Sequence, residues 1–194
     1  MRDPASRVPW WGVASSALAP ILLAGGWTVA AAQQPPGYDP VVRSISSLAA
    51  ADAHSRWIMT LALALVGACH LTTAAALAGS APRRARGVLA AGGAATSLVA
   101  AFPLGTGADS AHALVASVAF LSLAVWPALL GDRIDLAAAA ILVALVVWFG
   151  AELYGGGHRV GLAERAAAGA QSLWPLAVVL RLRSSRQRTA AGSP

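Results

Sequence analysis

The residues able to do chemistry in this chain gather in three polar stretches. QQPPGYDPVVRSISSLAAADAHSRW carries Asp39, Arg43, Asp52 and His54. FPLGTGADSAH carries Asp109 and His112, three residues apart and so on one helical face. ELYGGGHRVGLAER carries Glu152, His158, Arg159, Glu164 and Arg165. Imidazoles and carboxylates at one depth could hold a divalent metal, or act as general acid and base on a lipid-borne or extracytoplasmic substrate. The carboxylates also have a plainer use. Asp39, Asp52 and Asp109 each precede an expected helix, where a carboxylate caps free N–H groups, and Glu164 falls in a first turn, where the helix dipole favours it. His112 lies just inside a helix behind a Gly-rich loop and is less readily assigned to capping. The candidate outer polar pocket is Asp39, Arg43, Asp109, His112, Glu152, His158 and Arg165. Neither HEXXH nor a paired HXXXH is present, so no metal is assigned.

Two polar residues fall inside apolar stretches, His70 and Gln171. His70 is thirteen residues past Trp57, which at about 1.5 Å per residue places it roughly 20 Å along a helix. An ionisable group at such depth is a functional candidate, although a neutral histidine bonded to a neighbouring helix is the commoner arrangement. Bis-histidine haem would need a second histidine at matching depth, and the other three lie at one boundary, so haem is not expected. Cys69 is the single cysteine, which excludes an internal disulfide and a cysteine-based zinc site. No cofactor is assigned.

The elements that position these residues follow from composition. Of 194 residues, 57% are hydrophobic and 11% charged, with a mean hydropathy of +0.64, against about 25% charged residues in soluble domains. This excludes an ordinary soluble enzyme, a disordered chain and a nucleic-acid binder, despite a formal charge of +6. All 14 basic residues are arginine; an Ala-rich, Lys-free composition is what a GC-rich genome tends to write, and a bacterial source is expected. About 20 apolar residues are needed to cross a bilayer as a helix. Six windows are expected to do so, at 10–32, 57–79, 87–102, 111–130, 136–153 and 166–182, the third and sixth being short. The fold class expected is an all-α bundle of six transmembrane helices with a short outer amphipathic helix. Residues 1–183 form one membrane domain and 184–194 a basic, disordered cytoplasmic tail.

Arginine placement sets the orientation. Ten arginines fall on the side of the termini and four (Arg43, Arg56, Arg159 and Arg165) on the other, which puts both termini in the cytoplasm of a plasma-membrane protein. The first span, running from MRDPASR to VAAAQQ, also resembles a cleavable signal, but its apolar stretch is longer than the roughly 7–15 residues usual there. Cleavage would leave five spans with the C-terminus still inside. The short basic loops SAPRRAR and GDRID read as topological anchors. On the outside, Asp39 and Pro40 read as N-cap and first residue of an amphipathic helix through Ile45, Leu48 and Ala49, lying at the interface or tucked over the bundle. Gly93, Ser97 and Ala101 form a small-xxx-small ladder for close helix packing. Pro20, Pro127 and Pro175 interrupt spans one, four and six, and Trp10, Trp11 and Trp57 are interface anchors.

The order YDPVVRSISSL, then FP with Asp and His leading into a span, then GLAER–QSLWP, resembles the DUF998 family, small multi-span bacterial and archaeal proteins of unknown function. The resemblance runs roughly from the first span to the sixth. It implies family positions at Asp39, Pro40, Ser46, Phe102, Pro103, His112, Arg165 and Trp174, and implies no activity. The chain departs from the family in having Ala49 and Ala50 after SISSL, where the family has glycine, and in separating Asp109 from FP by LGTGA.

Function remains open among three classes: a structural or partner subunit with an outward-facing polar pocket, a membrane-embedded enzyme or binder for a lipid or extracytoplasmic substrate, and a small transporter. The expected partners are the lipid bilayer and possible other membrane proteins or a second copy; nucleic acid is not expected.

Overall fold

The computed structural model describes residues 8–191, with side chains described through 184. The described residues form six α-helices and no strand: α1 (Trp10–Ala32), α2 (Trp57–Ala76), α3 (Arg83–Ala101), α4 (Asp109–Val125), α5 (Arg133–Tyr154) and α6 (Val160–Ala191). Four of them, α1, α2, α4 with its 3₁₀ extension to Leu130, and α5, are long and apolar enough to cross a membrane. Shorter α3 opens with Arg83, Arg84 and Arg86, and α6 carries Glu164, Arg165 and Arg181. Helix α6 runs on through the segment expected as a tail as far as Ala191; residues 192–194 lie outside the described residues.

Successive helices pack as antiparallel neighbours, and α6 closes the ring by packing on both α5 and α1 while touching α4 and α2. Two apolar clusters fill the interior. One contains Leu23, Leu48, Met59, Val66 and Val99; the other contains Leu77, Leu89, Leu123, Trp126 and Val178. Between them lies a belt of buried polar side chains: Ser15, His70, Thr73, Thr96, Gln171 and Ser172.

The small residues of α3 do what their spacing suggests, with one exception. A Cβ on Gly67 of α2 would overlap the Gly93 carbonyl and Ser97, and one on Gly93 would press on the Gly67 carbonyl and His70. The two backbones therefore meet at these glycines, and Ser97 Oγ donates to the Ala64 carbonyl at 3.2 Å. Ala101 is exposed and lies outside this contact.

Helices α1 and α6 continue through Pro20 and Pro175. Pro127 instead marks a change of geometry, opening a 3₁₀ turn over Trp126–Leu130 where a missing N–H costs nothing. The outer element is shorter than the amphipathic pattern suggests. Asp39 Oδ1 accepts from the Val41 N–H at 2.8 Å in an Asx turn, and only Ser46–Ala49 is helical, as one 3₁₀ turn. Leu48 and Ala49 are buried, so the turn is tucked over the bundle. Trp10 and Trp57 are largely exposed, as interface anchors would be.

Candidate functional site

The first two turns of α6 hold segment 38–46, between α1 and α2, by its backbone. Arg165 Nη1 donates to the carbonyls of Pro40 and Arg43, each at 2.8 Å, and of Gly161 at 3.0 Å; Nη2 donates to Tyr38 Oη at 2.9 Å. Its guanidinium also lies 6.0 Å from the Trp27 ring centroid. Glu164, 3% exposed, takes the opposite kind of group: Oε2 accepts from the Ile45 N–H, and Oε1 from Ser46 Oγ at 3.3 Å. Contact is close enough that a Cβ on Gly161 would overlap the Pro40 and Arg43 carbonyls.

Beside this clamp, α4, α5 and the start of α6 enclose a cleft of about 460 Å³. Its polar end carries Ser44, Ser46, Asp109, His112 and Glu164, while Phe120, Leu121, Val146, Phe149 and Leu153 supply apolar walls. His112 is 6% exposed, and its Nδ1 lies 2.7 Å from the Phe102 carbonyl. A carbonyl can only accept, so Nδ1 carries hydrogen, and Nε2 of the neutral ring is an acceptor. Asp109 Oδ1 accepts from the Gly105 N–H at 2.9 Å, which fixes the loop between α3 and α4. Ala51 N donates to the Leu104 carbonyl at 2.9 Å and ties that loop to the outer segment.

The seven residues expected in one pocket are distributed among several places. Asp109 and His112 line the cleft. Arg165 is in the clamp, and Arg43 enters it through its carbonyl while its side chain borders a separate surface hollow with Gln34, Asp52 and His54. Asp39 makes its Asx turn. Glu152 stabilises the loop between α5 and α6, accepting from Trp148 Nε1 at 3.2 Å and the Arg159 N–H at 2.9 Å. His158 is exposed on that loop. Among the described residues, no three His, Cys, Asp or Glu side chains converge as a metal site would require.

His70 and Gln171 both border a smaller chamber, about 60 Å³, beneath Glu164. Gln171 Nε2 donates to the Phe120 carbonyl at 2.8 Å. His70, expected to bond a neighbouring helix, instead has both ring nitrogens buried without a hydrogen-bond partner. The nearest polar pair in the belt is closed on itself: Ser15 Oγ and Thr73 Oγ1 are 2.8 Å apart, and Thr73 donates to the Cys69 carbonyl.

Glu164 is the site residue that sequence reasoning missed, because a first-turn carboxylate is sufficiently explained by the helix dipole. A signal was present: Glu164, Gln171 and Ser172 recur at i, i+7 and i+8, one polar stripe along the Ala-rich first half of α6. The GDRID loop also does more than anchor. Asp135, 2% exposed, pairs with Arg181 and accepts from Trp174 Nε1 at 3.2 Å, latching α5 to α6 at the end opposite the cleft.

No curated protein and no solved structure matched the chain. A family model described as a protein of unknown function, DUF998, matches residues 17–181. With the match covering nearly the whole bundle, clamp and latch included, the chain belongs to the DUF998 family.

Proposed function

We propose that this is a multi-pass plasma-membrane protein of six spans, both termini cytoplasmic, that binds an amphiphile in the outer cleft between α4 and α5. The observation that carries this reading is the polarity gradient of the cleft. Asp109, His112, Ser46 and Glu164 lie at one end, and the walls then turn apolar along Phe120, Leu121, Val146 and Phe149. That is the polarity profile of a molecule with a hydrogen-bonding head and a hydrocarbon tail. The head offered should be a donor. Two carboxyl groups, an acceptor imidazole nitrogen and no arginine line the cleft, while Arg165 is already engaged with backbone carbonyls. A hydroxyl or amine head suits this lining, whereas an anionic phosphate does not.

The test uses purified protein in bilayers with two photoreactive probes, a diazirine-tailed diacylglycerol and the matching phosphatidic acid. The diacylglycerol is expected to label the α4 and α5 walls around Phe120 and Phe149, and the bulky Ala113→Trp, at a cleft-lining position, to abolish that labelling. Labelling spread evenly over the lipid-facing surface would overturn the cleft as a site. Equal labelling by phosphatidic acid would overturn the preference for a donor head.

A further inference from the structure

The chamber beneath Glu164 has features that the amphiphile cleft does not use. His70 is 1% exposed, and neither Nδ1 nor Nε2 has a hydrogen-bond partner. A neutral imidazole needs one donor and one acceptor, and leaving both unmet in a protein interior is costly. It borders a space of about 60 Å³, above the roughly 10–15 Å³ needed to hold a water. The other polar walls favour molecules that donate. Thr96 Oγ1 gives its hydrogen to the Gly92 carbonyl and Ser172 Oγ gives its own to Gly169, which leaves oxygen lone pairs facing outward from those bonds. Gln171 Nε2 is likewise engaged with Phe120. Water satisfies both demands, donating to the hydroxyl oxygens and doing either for the imidazole.

The chamber has a polar side and a closed side. Glu164, Ser46, Ala116 and Phe120 border both the chamber and the outer cleft, so Glu164 stands in the wall between them. Toward the opposite end, the Ser15–Thr73 pair and the cluster of Leu77, Leu89, Leu123, Trp126 and Val178 close the bundle. Of the groups facing the chamber, α1, α3, α4 and the outer segment contribute nothing titratable; α2 contributes His70 and α6 contributes Glu164. Arg165 turns away to the Pro40 and Arg43 carbonyls, and His112 faces the cleft.

We propose that this chamber is a hydrated proton-binding site within the bundle, reached from the outer cleft through Glu164, with His70 as the acceptor. A proton leaves the Glu164 carboxyl oxygen, passes along the chamber water and binds a ring nitrogen of His70. Glu164 is left as a carboxylate and His70 as an imidazolium; a proton from the cleft side then restores the Glu164 carboxyl, so the chamber has gained one proton and one positive charge, and release runs the same steps in reverse. The proposal does not depend on which molecule the cleft takes.

The experiment is solid-state NMR of full-length protein labelled with 15N-histidine in phospholipid bilayers, with His70 assigned through His70→Gln. His70 is expected to show a cross-peak to water and to protonate as bulk pH falls. Glu164→Gln should keep the water cross-peak and slow proton exchange at His70 by about a hundredfold, the scale of a lost acid–base partner. Ala119→Leu, which fills the chamber from a position 6% exposed, should remove the cross-peak while leaving the helical content intact. Should Glu164→Gln fail to fold, the Ala119→Leu comparison carries the test of hydration alone. A wild-type His70 with no water cross-peak, or one that stays neutral throughout, overturns the chamber as a proton site. Unchanged exchange in a folded Glu164→Gln overturns Glu164 as its gate. Neither result bears on labelling of the cleft by the diacylglycerol probe.

Discussion

Glu164 and Arg165 are consecutive residues of α6, yet they hold one segment, residues 38–46, by opposite groups. Arg165 takes the carbonyls of Pro40 and Arg43, and Glu164 takes the N–H of Ile45. A stretch with almost no regular secondary structure has few internal partners for its backbone, and buried backbone groups must be paired somewhere. Here an acid and a base one residue apart supply both kinds of partner. The same contact seats Glu164 in the wall between the cleft and the chamber beneath it.

The two halves of the clamp are expected to fail differently. Glu164→Ala leaves the Ile45 N–H buried without an acceptor, a loss of about 1–3 kcal/mol. Arg165→Lys keeps the charge but cannot reach two carbonyls and a tyrosine hydroxyl from one planar fork, and should cost about 2 kcal/mol. Thermal unfolding in detergent measures both, with proteolysis near residues 38–46 reporting local release of the segment. Arg165→Lys with wild-type stability and wild-type proteolysis would show that charge alone holds the segment.

Helices were the legible part of this chain. Trp10–Ala32 is α1 to the residue, and the other five windows each find their helix, because apolar runs bounded by Pro, Gly and Arg leave the backbone no other way to satisfy itself. The site was legible only in part. Asp109 and His112 were identifiable because a Gly-rich loop precedes them. Arg43, Glu152 and Arg165 were misplaced because composition gives the depth of a residue and not its direction around a helix. Arg165 points to carbonyls more than 120 residues back in the chain, a relationship that no local pattern encodes. Asp135 was missed for a similar reason: its partners Trp174 and Arg181 belong to a different helix.

Two glycines, one at the contact between α2 and α3 and one on the open face of α1, are expected to respond differently to alanine. At Gly67 a methyl group would strike the Gly93 carbonyl and Ser97 backbone, which cannot step aside without parting the helices. Gly67→Ala is expected to destabilise by about 1–3 kcal/mol, the range for overpacking, or more. Gly25 in α1 has nothing within 4 Å of an added Cβ, and Gly25→Ala should be neutral or stabilising by up to about 1 kcal/mol through helix propensity. Chemical or thermal unfolding of the pair decides it, and equal effects would mean that the α2–α3 contact is not backbone-limited.

The proposed six-span threading makes the last prediction, and the single cysteine makes it easy to test. In a Cys69→Ser background, new cysteines at the exposed positions Asp52, Arg84 and Arg159 sample two loops and the first turn of α3. If the ten-arginine side faces the cytoplasm, a membrane-impermeant maleimide should label Asp52→Cys and Arg159→Cys on intact cells. Arg84→Cys should react only after permeabilisation. The pattern requires α2 to cross and an odd number of crossings among α3, α4 and α5, since a non-spanning α3 would put residue 84 and the loop leading to α4 on one side. A fourth cysteine at the exposed Thr106 separates those cases: labelled from outside, it requires α3 to span; protected together with Arg84→Cys, it reduces α3 to a helix packed within the bundle. Labelling of Arg84→Cys on intact cells together with protection of Asp52→Cys would invert the orientation, and the amphiphile cleft would then open toward the cytoplasm.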